Sequence, residues 1–269
     1  MSATSKKPTK FSGTWDGESG KQRSISIFRR LQNQQIVEYG VMRVLIGGEY
    51  SGTLRDAFIA EGYDAMSCDL SPTQVPGPHY QGNWWDVMFD GWDLAIFHPT
   101  CTFMANSSSK HLFNGMDKRG GLNIDRWVKM GQAAWDLYDL RERCPVRYVA
   151  YENPVMLRYA QIMSGVEKLP CQTVQPWWFG DDENGPDNEK KATCWWTEGG
   201  LPKLTRTGTL DGKTARESVH RHAPTSDPEV RRMARSKLHP GHAKAIAKQW
   251  GGYVASQLAS QLDFSDILG

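Results

Sequence analysis

The stretch from Val41 to Asp69 limits the possible folds of this chain more than any other. It opens on a short apolar run, Val41-Met-Arg-Val-Leu-Ile46, with the length and composition of a buried strand. A glycine-rich turn follows at once, Gly47-Gly48-Glu49-Tyr50-Ser51-Gly52. Leu54, Ala57 and Phe58 then recur at helical spacing up to Gly62, a residue suited to end a helix because it accepts a left-handed backbone. A second strand, Asp64 to Cys68, runs into an acid, Asp69. Strand, tight turn, helix, strand and acid in this order is the pattern of a βαβ nucleotide-binding unit.

The alternation continues. A Pro/Gly-rich loop over 72–82 leads to Trp84-Trp85-Asp86-Val87, and a strand from Trp92 to Phe97 runs into His98-Pro99-Thr100-Cys101. Residues 102–122, rich in Ser, Gly, Asn and basic side chains, read as a long exposed loop. Trp127, Met130, Ala134, Leu137 and Leu140 mark a helix over Asp125 to Arg143, and a strand from Arg147 to Tyr151 ends in Glu152-Asn153-Pro154. Strands alternating with helices predict an α/β fold, a doubly wound and mainly parallel sheet covered on both faces. From 171 to 235 the alternation dissolves into Trp-, Gly-, Pro- and Asp-rich stretches and then basic ones, before a last helix over Ala243 to Leu262.

Composition narrows the function classes. No apolar run approaches the roughly 18 residues of a membrane span, and no basic-then-apolar leader opens the chain. Five cysteines, an odd number in 269 residues, do not form a disulfide framework, so a reducing cytoplasm is the expected setting. The net charge of +2 is a cancellation: residues 1–40 carry seven Lys/Arg against three Asp/Glu, residues 41–200 fourteen against 21, and residues 201–250 eleven against four. Basic segments flanking an acidic body are the electrostatic footprint of a polyanion partner, or else a solvated face and a mobile tail.

In doubly wound sheets ligands bind beyond the carboxyl ends of the strands. The residues placed there are Gly47 and Gly48, Asp69, Asn83 and Asp86, Pro99 and Cys101, and Glu152 and Asn153. A glycine turn, an acid after the second strand and a polar group after the third suit an adenosine ligand, although a structural turn uses the same residue types. Cys101 is the sharper signal. A lone cysteine is usually a small buried hydrophobe, but at a strand end opposite an acid it has the equipment for nucleophilic addition to a ring. A zinc site from His98, Cys101, His220, His222, His239 and His242 lacks any Cys-x-x-Cys or His-x-Glu spacing, so no metal is expected.

Taken together these residues resemble the DNA cytosine-5 methyltransferases, and more closely their small phage-type members. The resemblance rests on the turn 47–52, Asp69, Gly82-Asn83, Asp93 leading to Pro99-Thr100-Cys101, and Glu152-Asn153-Pro154. The stretches Gln172 to Gly180, Lys190 to Trp196 and Gly200 to Leu204 also look phage-type. It implies a Rossmann-like sheet of the S-adenosylmethionine-dependent methyltransferase type with a short C-terminal extension. S-adenosyl-L-methionine would lie over Gly47, Gly48, Ser51, Gly52, Asp69, Asn83 and Asp86. Cys101 would add to carbon 6 of a flipped cytosine, with Glu152 on ring nitrogen 3, while Asn153 and Pro99 shape the site. DNA would meet Lys110 and Arg119 of the loop, Lys190 and Lys191, and the arginines Arg231, Arg232 and Arg235.

The corresponding plan is a mobile basic tail over 1–40 with a short helix near Ile27 to Ile36, a catalytic domain over 41–170, a small target-contacting region over 171–235, and a C-terminal helix over 236–269. A monomer is expected, in the cytoplasm of a bacterium or phage-infected host. The sequence departs from the family at Thr100 for a second proline, Pro154 for valine, Asn83 for an acid, and in lacking Q-x-R-x-R, whose arginine Lys190, Lys191 or Arg158 would replace. Two alternatives stay open: a non-catalytic DNA- or cofactor-binding shell, and the same chemistry on a free pyrimidine nucleotide or modified base. The tryptophan pairs 84/85, 177/178 and 195/196 are either stacking platforms for unpaired bases or core residues.

Overall fold

The computed structural model of the protein describes residues 41–217 and 236–268. The expectations for 1–40, for His220 and His222, and for Arg231, Arg232 and Arg235 lie outside the described residues.

Among the described residues, seven strands form one sheet in the order β3-β2-β1-β4-β5-β7-β6. β1 (Arg43–Gly47) is flanked in parallel by β2 (Asp64–Asp69) and β4 (Leu94–Phe97). β3 (His79–Gln81) and β5 (Tyr148–Pro154) extend the parallel set on either side. β7 (Thr193–Glu198) runs antiparallel between β5 and β6 (Cys171–Val174). This order, with helices on both faces, is that of the class I S-adenosylmethionine-dependent methyltransferases, and the expected fold class holds.

The strands read as continuous apolar runs because both faces are covered. Leu45, Ala95, Phe97, Val149 and Tyr151 point to one core, closed by Met130, Ala134, Leu137 and Leu140 of α2 (Ile124–Arg143) and by α3 (Arg158–Ser164). Val44, Ile46, Leu94, Ile96 and Ala150 point to the other. That side is closed by Leu54 and Phe58 of α1 (Thr53–Ala60) and by α4 (Pro240–Ile246) and α5 (Gly252–Leu268), which a π turn over Ala247–Gly251 joins. The extra residue in that turn accompanies full burial of Trp250, whose indole N–H donates to Pro202 O at 2.8 Å. Asn123 caps α2 by accepting the Arg126 N–H at 3.2 Å.

Four parts of the chain differ from the sequence reading. β3 lies inside the expected loop 72–82, where a three-residue strand leaves no periodicity to detect. β6 and β7 lie in the stretch read as irregular, and β7 sits in the sheet interior, so Trp195 and Trp196 are both buried rather than offered to bases. The segment 102–122 is a chain of 3-10 turns closed by a bridge between Phe113 and Leu122, with Leu112 buried beneath it.

Candidate active site

The carboxyl ends of the parallel strands bring the expected residues to one rim. At the end of β1 the backbone turns sharply: Gly48 and Glu49 donate their N–H groups to Cys68 O at 2.7 and 3.1 Å, and His98 N donates to Gly47 O at 2.8 Å. Gly48 has φ +77°, and a Cβ there would stand 2.5 Å from His98 O. Only glycine lets the β1 and β4 exits approach this closely.

Glu49, which the sequence reading passed over, organises the rest of the turn. Its buried carboxylate accepts the N–H groups of Leu54 at 2.7 Å and Arg55 at 3.1 Å, and the Ser51 hydroxyl at 3.1 Å. These are orphan donors of the first turn of α1, the position where dinucleotide-binding folds hold a pyrophosphate. With a carboxylate already seated there, the turn repels phosphate. It suits a nucleoside ligand that carries none, and S-adenosylmethionine is such a ligand.

At the end of β2, Asp69 uses Oδ1 to accept the Ser71 N–H at 2.8 Å. Asn83 and Asp86 form a reciprocal cap on the 3-10 turn Trp84–Asp86: Asn83 Oδ1 accepts the Trp85 N–H, and Asp86 Oδ2 accepts both the Asn83 N–H and the Tyr80 hydroxyl. These two exposed side chains therefore have a structural job at the edge of the rim.

The β4 and β5 exits lie side by side, because Phe97 is in register with Tyr151. His98 consequently faces Glu152, with Nδ1 3.5 Å from Oε2. Burial drives the Glu152 carboxyl upward, but the His98 hydrogen bond and the Lys191 charge outweigh it and hold the group below the usual carboxylate value. Lys191 itself is lowered by burial, against the pull of the Glu152 and Cys101 charges. Its ammonium donates to Lys237 O at 2.9 Å. The charges of the half-buried Cys101 and of Glu152 thus both act on Lys191, and among the described cations expected to meet DNA it is the one whose charge reaches this rim. Lys190 instead stands 3.6 Å from Glu217, and Lys110 and Arg119 are exposed on the 3-10 turns.

Asn153 is completely buried, and neither amide atom has a partner in the protein. Behind it, Trp195 donates its indole N–H to His242 Nε2 at 3.1 Å, and His242 stacks on Phe179 at 4.7 Å. This explains the buried histidine as a core acceptor. Among the described residues, no cluster of three or more His, Cys, Asp or Glu side chains is placed to hold a metal.

Two hollows border the rim. A recess between the turn Gly48–Ser51, His98 and the segment Ser236–Leu238 holds only about 10 Å³. Ser236–Leu238 closes it over, held by a hydrogen bond between the Tyr50 and Ser236 hydroxyls at 3.0 Å. A wider hollow of about 420 Å³ lies between the 3-10 turns after Cys101 and the start of α2. Arg126 closes its base, stacking on Phe103 at 4.5 Å and donating to Thr102 O. Among the described residues, no helix is long and apolar enough to cross a membrane. Compared with known protein families and with curated proteins, the chain matches none.

Proposed function

We propose that this protein methylates carbon 5 of cytosine in DNA, using S-adenosyl-L-methionine. The observation that carries the reading is the placement of Cys101 and Glu152 at neighbouring strand exits, where the charges of both act on Lys191. A thiol and an acid beside one ammonium are equipped for addition to a polarised ring. The fold belongs to methyltransferases generally. Cytosine chemistry rests on this pair and on the resemblance.

In this scheme the base leaves the helix, because neither face of carbon 6 is open in stacked DNA. Cys101 Sγ, as thiolate, forms a bond to carbon 6. Glu152, held ionised at rest, takes up a proton from solvent as ring nitrogen 3 docks against it and passes that proton to the nitrogen, so the ring accepts the electron pair. Lys191 stabilises the thiolate before attack and holds Glu152 in place, the role left open by the missing Q-x-R-x-R arginine. Asn153, fully buried beside Glu152, carries two amide atoms with no partner in the protein. When bound, the cofactor would supply an electrophilic methyl group for carbon 5; water then takes the carbon 5 proton, the carbon 5–carbon 6 double bond re-forms, and the bond from carbon 6 to Cys101 Sγ breaks to release the thiolate. The hollow beside Arg126, after the nucleophile, is the natural place for the strand flanking the extruded base.

Labelled S-adenosylmethionine incubated with DNA, or with deoxycytidine monophosphate, tests the reading directly. Transfer to DNA that falls at least about a thousandfold in Cys101→Ala supports it. DNA bearing 5-fluorocytosine should trap a covalent adduct on Cys101, since fluorine cannot leave as the proton does. Transfer to the nucleotide alone redirects the substrate, and cofactor binding with no transfer to either reduces the protein to a binding shell.

A further inference from the structure

The hollow past the nucleophile, at about 420 Å³, falls within the roughly 300–1,000 Å³ of small-ligand sites. Its lining joins apolar Phe113 and Met116 to polar Ser108, His111, Asn123 and Arg126. The walls are set before any ligand arrives. Phe113 bridges to Leu122, and the Asn114 side-chain amide donates to Gly120 O at 3.1 Å and Leu122 O at 3.2 Å. Trp127 donates its indole N–H to Leu112 O at 3.0 Å. Arg126 donates to Thr102 O at 2.9 Å, which ties the hollow to the residue after Cys101.

Two features of this lining point to a ligand with both an apolar face and a negative charge. Met116 has φ +58° and is the one non-glycine residue with positive φ among the described residues, yet it is 56% exposed. Strain of this kind gathers at ligand sites, and an exposed methionine adapts its shape to varied apolar surfaces. Arg126 is half-buried, which lowers its ionisation, and no acid among the described residues forms an ion pair with it. Residues 102–129, which build the hollow, carry five Lys/Arg against two Asp, inside a body over 41–200 that carries fourteen against 21. Of those two acids, Asp117 already accepts the Arg119 N–H. A nucleotide combines the two properties. Unpaired bases stack on aromatic and apolar side chains while basic ones hold the backbone.

We propose that the hollow receives the nucleotide next to the extruded cytosine, its base out of the stack against Phe113 and Met116 and its phosphate on Arg126, so that the preferred substrate is single-stranded DNA. The inference rests on the DNA reading and adds the form of the strand. In a duplex two adjacent nucleotides would have to unpair and unstack, whereas a single strand has no pairs to break. A duplex presenting only its backbone would leave the apolar wall unused.

Fluorescence anisotropy with a short labelled strand holding one cytosine tests this without turnover. The probes are the intact strand, two versions with an abasic residue on one or the other side of the cytosine, and the strand annealed to its complement. For the wild type, removing the base on one side should weaken binding about tenfold, and the duplex should bind at least as weakly. Met116→Gly, which suits the left-handed backbone and removes the apolar wall, should weaken the intact strand several-fold and lose little more on that abasic strand. Arg126→Gln should reduce the slope of log affinity against log salt by about 0.7, one phosphate contact on a single strand. Abasic strands that both bind like the intact one overturn the inference, as does a duplex bound as tightly as the single strand. So do additive losses from Met116→Gly and the abasic residue, or an unchanged salt slope in Arg126→Gln. If the variants fail to fold, the wild-type comparison of abasic and intact strands decides. Labelled methyl transfer read alongside separates the two proposals. Base-dependent binding with no transfer leaves the hollow assigned and refutes methylation, and transfer to a strand bound without regard to its neighbours does the reverse. If no strand is bound, both fall.

Discussion

Replacing Glu49 with alanine should destabilise the protein more than any other single change in the glycine turn. The side chain is 6% exposed, and its carboxylate accepts the N–H groups of Leu54 and Arg55. Both recipients belong to residues with no exposed surface, so water cannot readily replace the lost acceptor. Each orphaned buried donor costs about 1–3 kcal/mol, and loss of a negative charge at the positive end of α1 adds about 0.3–1 kcal/mol. The sum, about 2–5 kcal/mol, corresponds to a fall in Tm of roughly 5–15 °C for a folded unit of this size. Glu49→Gln keeps one acceptor oxygen and should lose about half as much. Urea unfolding followed by tryptophan fluorescence, with thermal scans in parallel, reads both variants. A loss below about 1 kcal/mol for Glu49→Ala would mean that α1 does not depend on this carboxylate. The phosphate-excluding role of the turn would then have no basis, and inorganic phosphate should be retested as a ligand of the variant.

Asn153→Ala should leave the urea midpoint nearly unchanged, because the amide makes no hydrogen bond within the protein, yet abolish methyl transfer. A large stability loss would assign Asn153 to the scaffold. Burial lowers the His242 ionisation well below its ordinary value, with the Lys191 charge adding to the effect. The folded ring stays neutral while the unfolded one protonates, so stability should fall as pH drops below about 6.5, by about 1.4 kcal/mol per unit for this group. His242→Gln retains an acceptor for the Trp195 indole and should remove one proton from that slope; an unchanged slope refutes the assignment. The Glu152 carboxyl is held low despite burial, so its contribution to stability is complete above about pH 4.3 and is lost as pH falls through the lower folded value. In Lys191→Met the charge that helps the His98 hydrogen bond hold this carboxyl low is gone, and the loss should begin at higher pH. Coincident acid-unfolding curves would remove Lys191 from the pair.

Much of the sheet was legible in advance because burial on both faces leaves a local trace. β1, β4 and β5 are apolar runs ending in glycine, His-Pro or an acid, and α2 repeats its apolar residues at three and four. The rim followed from these, since the ends of parallel strands share one side of the sheet. β3 was too short to show a period. In β7, Thr193-Cys-Trp-Trp-Thr-Glu198 lies in a chain of turn residues and polar side chains, and only pairing with both β5 and β6 makes it a strand.

The site divides along the same line. The order of residues along the chain was enough to place Cys101, Glu152 and the glycine turn at one end of the sheet, because each lies at or shortly past the carboxyl end of a parallel strand. It could not show that Lys191, 39 positions beyond Glu152, enters the site while Lys190 beside it stays with Glu217. Nor could it show that His98 stands between the recess and the acid, or that Glu49 fills the end of α1. Those relations depend on which strand lies beside which and on which side chains burial deprives of water. Short-range pattern encodes the strands and their exits, whereas charge pairing across the rim exists only after the sheet has closed.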